Sequence, residues 1–145
     1  MIKKANIDKT VLLFVIIQRT VQSITKKMSP LIREDGLTVG QWDTLNVLYK
    51  NGSMTVNGLI EKLLTSSGNI DVVITNLIKR GDIIKTVDKD DKRIRNIEIT
   101  EKGKNIVRKS VPKHKKALYE ILSVLDDSEK DQLKFLLKKL GKNIK

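Results

Sequence analysis

Two short stretches concentrate the side chains that could do chemistry: Thr65-Ser66-Ser67-Gly68-Asn69 and Asp91-Lys92-Arg93. Neither is catalytic in type. A serine turn opening a helix offers free backbone N–H groups, which anchor phosphates, and the hydroxyls of Ser66 and Ser67 add to them. Asn69 can read adenine with two hydrogen bonds, and Val72 can touch a thymine methyl. Lys79, Lys92 and Arg95 suit phosphate oxygens, and Asp91 stands two residues from Arg93, close enough to orient it. This is the chemistry of holding a polyanion. Each piece has a plainer reading as well: the turn as an ordinary helix cap, the charged tip as solvated surface. Catalytic parts are missing from the 145 residues. There is no cysteine and one histidine, His114, which excludes disulfides, thiolate metal sites, thiol redox sensing and multi-histidine metal centres. No nucleophile elbow, phosphate loop or metal motif occurs. No cofactor and no enzymatic activity are expected.

The chain carries 29 Lys+Arg against 17 Asp+Glu, a formal charge of +12. Such a surplus suits nucleic acid or an anionic membrane surface. The longest apolar run, Val11 to Ile17, falls far short of the roughly 20 residues of a spanning helix, and no cleavage site follows it. The expectation is a cytoplasmic chain with no membrane partner.

The elements that must position these residues follow from periodicity. Ile7, Val11, Phe14, Ile17, Val21, Ile24 and Met28 recur at steps of three and four, predicting a helix over 7–33 with Pro30 and then Asp35-Gly36 at its end. Its added apolar residues call for packing on more than one side, including a second subunit. Thr38 with Gln41 predicts a capping box for a second helix burying Trp42, Leu45, Val47, Leu48 and Tyr49, stopped by Asn51-Gly52. A short helix spans 56–64. A further helix spans 67–80, with Ile70, Val73, Ile74 and Leu77 inward, so that Asn69, Asp71, Val72, Thr75 and Asn76 face outward. From Ile83 the period drops to two, predicting a hairpin with Asp88 to Arg93 as its charged tip. After Thr100 a helix runs to about Leu125, with Pro112 as a kink. The last helix is predicted to be capped by Ser128 with Asp131, and to bury Leu133, Leu136, Leu137 and Leu140. Trp42 reads as core, and His114 as a surface or interface residue.

Three helices followed by a hairpin make a winged helix-turn-helix, mainly α with a small β-hairpin wing (α+β), in which the third helix enters the major groove. The sequence resembles the MarR (multiple antibiotic resistance regulator) family. The matching residues are Leu37-Thr38 with Gln41-Trp42, Leu63 to Gly81, Asp91-Lys92-Arg93, and Ile99-Thr100-Glu101-Lys102-Gly103. The resemblance implies a single domain over 1–145, with 35–103 as the DNA-binding part and the helices of 1–34 and 104–145 as dimerisation layer. It implies a homodimer on double-stranded DNA, acting as a repressor on a pseudo-palindrome. Arg93 takes the part of the family's minor-groove arginine, favoured by narrow A·T-rich grooves. The resemblance further implies control by a small aromatic or anionic effector. The pattern is not followed throughout. Asp71 stands where relatives carry Thr, Thr75 where they carry Asp, Ile78 replaces an acidic residue and Asp82 an apolar one. Asp71 either accepts from cytosine N4 or stabilises the helix start through its dipole. With such a carboxylate in the reading helix, a winged-helix module for protein contact is the alternative function.

The charge is unevenly spread. Residues 1–34 carry +5 and residues 104–145 carry +7, while 35–82, with the reading helix, carry −1 and 83–103 carry +1. The patterned motif, not the total charge, directs the reading toward DNA.

Overall fold

Capping residues set the frame of the fold. In the computed structural model, which describes residues 8–144, Asp8 opens α1 (Lys9–Glu34) by accepting from the Thr10 N–H at 2.7 Å. Thr38 opens α2 (Val39–Asn51) with the expected capping box: its hydroxyl accepts from the Gln41 N–H, and the Gln41 side chain accepts from the Thr38 N–H. Thr55 caps α3 (Val56–Leu63) by accepting from the Gly58 N–H, and Ser66 caps α4 (Ser67–Arg80) by accepting from the Asn69 N–H, each without the reciprocal bond of a capping box. Gly81, at φ +75°, closes α4 in the left-handed region that glycine adopts without strain.

β2 (Ile83–Val87) and β3 (Arg95–Ile99) form the wing hairpin, with Ile83 opposite Ile99 and Lys85 opposite Ile97. A two-residue strand, β1 (Met54–Thr55), pairs with the other edge of β3, giving an antiparallel sheet in the order β1-β3-β2. Two residues carry no readable alternation, so this strand has no sequence signature. α5 (Glu101–Leu122) and α6 (Asp127–Lys142) complete the chain.

The chain divides into two units. The first runs to His114. Its core joins Leu45 and Leu48 of α2, Leu59 of α3, Ile70 and Leu77 of α4, Ile83 and Ile97 of the sheet and Val107 of α5, all at 1% exposure or less. The expected inward stripe of α4 is thus in place, with Val73 half-buried. The second unit, from Lys115, holds the end of α5 and all of α6.

Several expectations are corrected. Ile7 lies outside the described residues. Pro30 does not end α1 but lies within it, and the helix continues to Glu34 before Gly36 turns the chain at φ +71°. Pro112 is likewise inside α5, which stops at Leu122 rather than near Leu125. α6 is capped not by Ser128 with Asp131 but by Asp126 with Glu129, whose longer side chain reaches back to the Asp126 N–H at 2.9 Å. Leu133, Leu136, Leu137 and Leu140 stay at least 43% exposed in the single chain. Tyr49 is exposed at the end of α2. His114 is not a surface residue: it is 3% exposed and meets Trp42 edge-on, ring centroids 4.6 Å apart.

Candidate nucleic-acid interface

α4 owes its position to what holds its two ends. At the start, the Ser66 hydroxyl accepts from the Asn69 N–H, and the Asn69 amide donates to Thr65 Oγ1 at 2.9 Å. At the end sits an ion cluster around the fully buried Asp82 carboxylate. Arg80 Nε donates to Asp82 Oδ2 at 2.6 Å, and Arg80 Nη1 donates to the Gly36 carbonyl at 2.7 Å, tying α4 to the turn between α1 and α2. Lys102 stands 3.5 Å from Asp82 Oδ1 and also donates to the Arg80 carbonyl. The Asp82 carbonyl accepts from both the N–H and the hydroxyl of Thr100, each at 3.0 Å. A Cβ on Gly103 would lie 2.3 Å from that same carbonyl oxygen, so only glycine fits there. Position 82 is therefore buried, as its usual apolar occupant would be, yet holds a carboxylate whose Oδ2 accepts from Arg80 while Oδ1 has the Lys102 ammonium nearby but no hydrogen-bond partner.

Between these ends α4 exposes Ser67, Asn69, Asp71, Val72, Thr75, Asn76 and Lys79. Every predicted reading residue on this helix thus lies on its outer surface, together with the preceding Ser66. Two qualifications come from the hydrogen bonds. Ser66 already uses its oxygen on the helix cap, leaving its proton to donate outward. Asn69 donates one of its two amide hydrogens to Thr65, which leaves the second hydrogen and Oδ1 for adenine.

The wing tip is a self-bonded turn. Asp88 Oδ1 accepts from the N–H groups of Asp90 and Asp91, and Asp88 Oδ2 accepts from the Asn96 amide. These bonds hold the Asp88 carboxyl below the usual carboxylate range. Asp91 then grips Arg93 with both oxygens, at 3.1 Å to Nε and 3.1 Å to Nη2, and accepts from the Arg93 N–H at 2.9 Å. The Arg93 side chain bonds lower the Asp91 pKa first, and the backbone bond lowers it further. Arg93 nonetheless stays 91% exposed. Lys92 and Arg95 are exposed beside it, with Arg95 Nη1 donating to the Lys92 carbonyl.

A third cluster lies where α5 meets the α1–α2 turn. Neither ring nitrogen of His114 has a hydrogen-bond partner, and Asp35 Oδ2, 3.8 Å away, has none either. Burial lowers the His114 pKa below its ordinary value and Lys113 lowers it further, against opposing pulls from Asp35, Glu34 and the nearby Leu31 carbonyl. Lys113 closes on Asp35 Oδ1 at 2.9 Å. The Trp42 indole donates to Ser110 at 2.9 Å, which makes Trp42 part of the packing, as its sequence context suggests.

Sequence reasoning overlooked Arg80 and Lys102, whose role exists only through contacts distant in sequence. It also overlooked Leu64, which ends α3 at φ 50°, ψ 45° and is 93% exposed. The available signal was the pair Leu63-Leu64 ahead of a cap, of which only one can face inward.

These features define a winged helix-turn-helix with an exposed third helix and an arginine-tipped wing. The matches to known proteins agree. A sequence model of the MarR family matches residues 35–94. The HTH-type transcriptional regulator MhqR of Bacillus subtilis is 30% identical over 138 residues, 95% of each chain. The chain belongs to the MarR family of transcriptional regulators. A mutant MarR from Escherichia coli complexed with operator DNA shares the fold with a TM-score of 0.84 at 20% identity, over 91% of this chain and 95% of that one. Bordetella bronchiseptica BpsR, whose DNA binding is regulated by 6-hydroxynicotinic acid, does so with a TM-score of 0.82 at 20% identity, over 90% and 98%. No helix among the described residues is long and apolar enough to cross a membrane.

Proposed function

We propose that the chain is a homodimeric repressor that binds a pseudo-palindromic operator in double-stranded DNA. α4 reads the major groove through Asn69, Val72, Thr75 and Asn76. Ser66, Ser67, Lys79, Lys92 and Arg95 hold phosphates, and Arg93 enters the minor groove. The observation that carries the reading is Arg93: a guanidinium almost wholly in solvent, yet fixed in one geometry by a bidentate carboxylate. Such preorganisation stabilises nothing large in the free protein, since an exposed ion pair contributes about 0–1 kcal/mol. It removes rotamer entropy before a ligand arrives.

The dimer rests on α1, where Val11, Leu13, Phe14, Ile16 and Val21 are each more than half exposed. A second copy is the occupant proposed for this stripe, with 1–34 and 104–145 as the dimerisation parts of a single domain. Two-fold symmetry then sets half-sites about 10 bp apart. The effector reading follows the family: a small aromatic or anionic molecule that prefers the non-binding conformation releases the operator. Chromosomal DNA as partner makes the protein cytoplasmic.

Mobility shift on the DNA upstream of the gene tests the reading. Wild type binds as a dimer, and Arg93→Ala weakens it. The rival reading, a protein-contact module, is favoured by Asp71 and by the −1 charge of residues 35–82. It gains if no duplex is retained at low salt while a heteromeric partner is.

A further inference from the structure

Leu64 combines two unfavourable properties that nothing in the fold requires. Among the described residues it is the one non-glycine at positive φ, a conformation that strains a side-chain-bearing residue and that glycine or asparagine would take more easily. It is also the most exposed large apolar side chain described, at 93%. The turn does not need it: the N–H groups of Leu64 and Thr65 both close on the Ile60 carbonyl, a backbone arrangement indifferent to the side chain. The core does not need it, since the adjacent Leu63 is half-buried and packs against the core. What Leu64 does have is a location. It lies two residues before the Ser66 cap of α4 and lines one cleft with Thr65 and Asn69, which are themselves hydrogen-bonded.

We infer that Leu64 is a DNA-contacting residue, an apolar finger that meets a thymine C5-methyl beside the base read by Asn69. The inference rests on the proposed entry of α4 into the major groove. Leu64 shares a surface with Asn69, so a groove that admits one brings the other to its rim. The major groove presents one apolar group, the thymine methyl. An exposed leucine held by a left-handed backbone offers it a prearranged apolar surface.

The test is a thymine-to-uracil scan, which removes one methyl at a time. A duplex selected by the full-length chain from a random library serves as probe, with wild type, Leu64→Ala, Val72→Ala and Arg93→Ala compared. One position is expected at which uracil weakens wild type about fourfold per half-site, the worth of one buried methyl. Leu64→Ala should bind the thymine duplex weaker by a similar factor and be insensitive to uracil there. Val72→Ala should keep that sensitivity. Leu64→Ala keeps the same backbone requirement, and its melting temperature should match wild type, which separates contact from folding. Leu64→Ala binding the thymine duplex as tightly as wild type overturns the inference, as does a loss that no uracil position reproduces. If Arg93→Ala still loses affinity in either case, the DNA-binding reading stands alone. If no duplex is enriched from the library, that reading fails and this inference with it.

Discussion

Two arginine–aspartate pairs of mirrored spacing lie a dozen residues apart, Arg80-Gly81-Asp82 and Asp91-Lys92-Arg93. Both bond within the pair, at 2.6 Å in one and 3.1 Å in the other. Their surroundings differ completely. The Asp82 side chain is 0% exposed, with Lys102 and the Gly36 carbonyl drawn into its cluster, whereas Arg93 points into solvent at 91% exposure. Removing a partner from the first leaves a charge stranded in low dielectric; removing one from the second leaves a charge in water. The first pair locks the end of α4, and the second leaves its cation facing solvent, open to the DNA contact proposed above. Residue type and spacing are the same, so burial decides which pair is structural.

The largest effect expected from breaking this contrast is at Asp82. Arg80→Ala leaves the fully buried Asp82 carboxylate without its hydrogen-bonded partner and should cost about 3–5 kcal/mol of stability, read by urea titration. Gly103→Ala attacks the same place through the Asp82 carbonyl and should also destabilise strongly. A small change in unfolding midpoint for both would mean the Asp82 cluster is no lock. Next comes Arg93→Ala, with a melting temperature within experimental scatter of wild type and an operator affinity lower by about 1–3 kcal/mol, or roughly five- to 160-fold. Equal losses in stability and binding would erase the distinction between the pairs. Asp91→Ala sharpens it: the cation remains but its geometry is released, so binding should fall by less than in Arg93→Ala, again without a stability change. An affinity loss as deep as that of Arg93→Ala would give Asp91 a direct role.

The smallest effect concerns pH and another buried group. His114 is the sole histidine, and its folded pKa lies below the ordinary value. Between the folded value and about 6.5 the unfolded chain binds more protons than the folded one, so stability falls as pH falls through that window. Melts from about pH 7.5 to about 5.5 should show this decline in wild type and a flatter profile in His114→Gln. Parallel profiles would show that the ring is not a buried neutral group. The Asp91 carboxyl, held below the usual carboxylate range by Arg93, contributes only at lower pH.

What could be read in the sequence were features closed within a few residues. The Thr38–Gln41 box, the serine cap of α4 and the Asp91–Arg93 pair all act across two or three positions, and each is where the spacing places it. Asp82 shows where this ends. Alone it looks like a polar residue at an apolar position, and its meaning lies in Lys102 and Gly103, about twenty residues on. His114 failed for the same reason, since Trp42 and Asp35 cover it from more than seventy positions away. Within the reading helix, the periodicity separated inner from outer faces correctly. It could not reveal that Asn69 donates to Thr65.

The apolar stripe of α1 has a consequence for dosage. A helix that leaves Phe14 at 59% and Val21 at 58% exposure in one chain makes the dimer proposed above a matter of mass action. Melting temperature should then climb with protein concentration, and operator occupancy should rise with the square of monomer concentration where monomers prevail. Such a regulator responds to its own abundance as a threshold, and a modest drop in synthesis releases the operator more sharply than any single contact to DNA would allow.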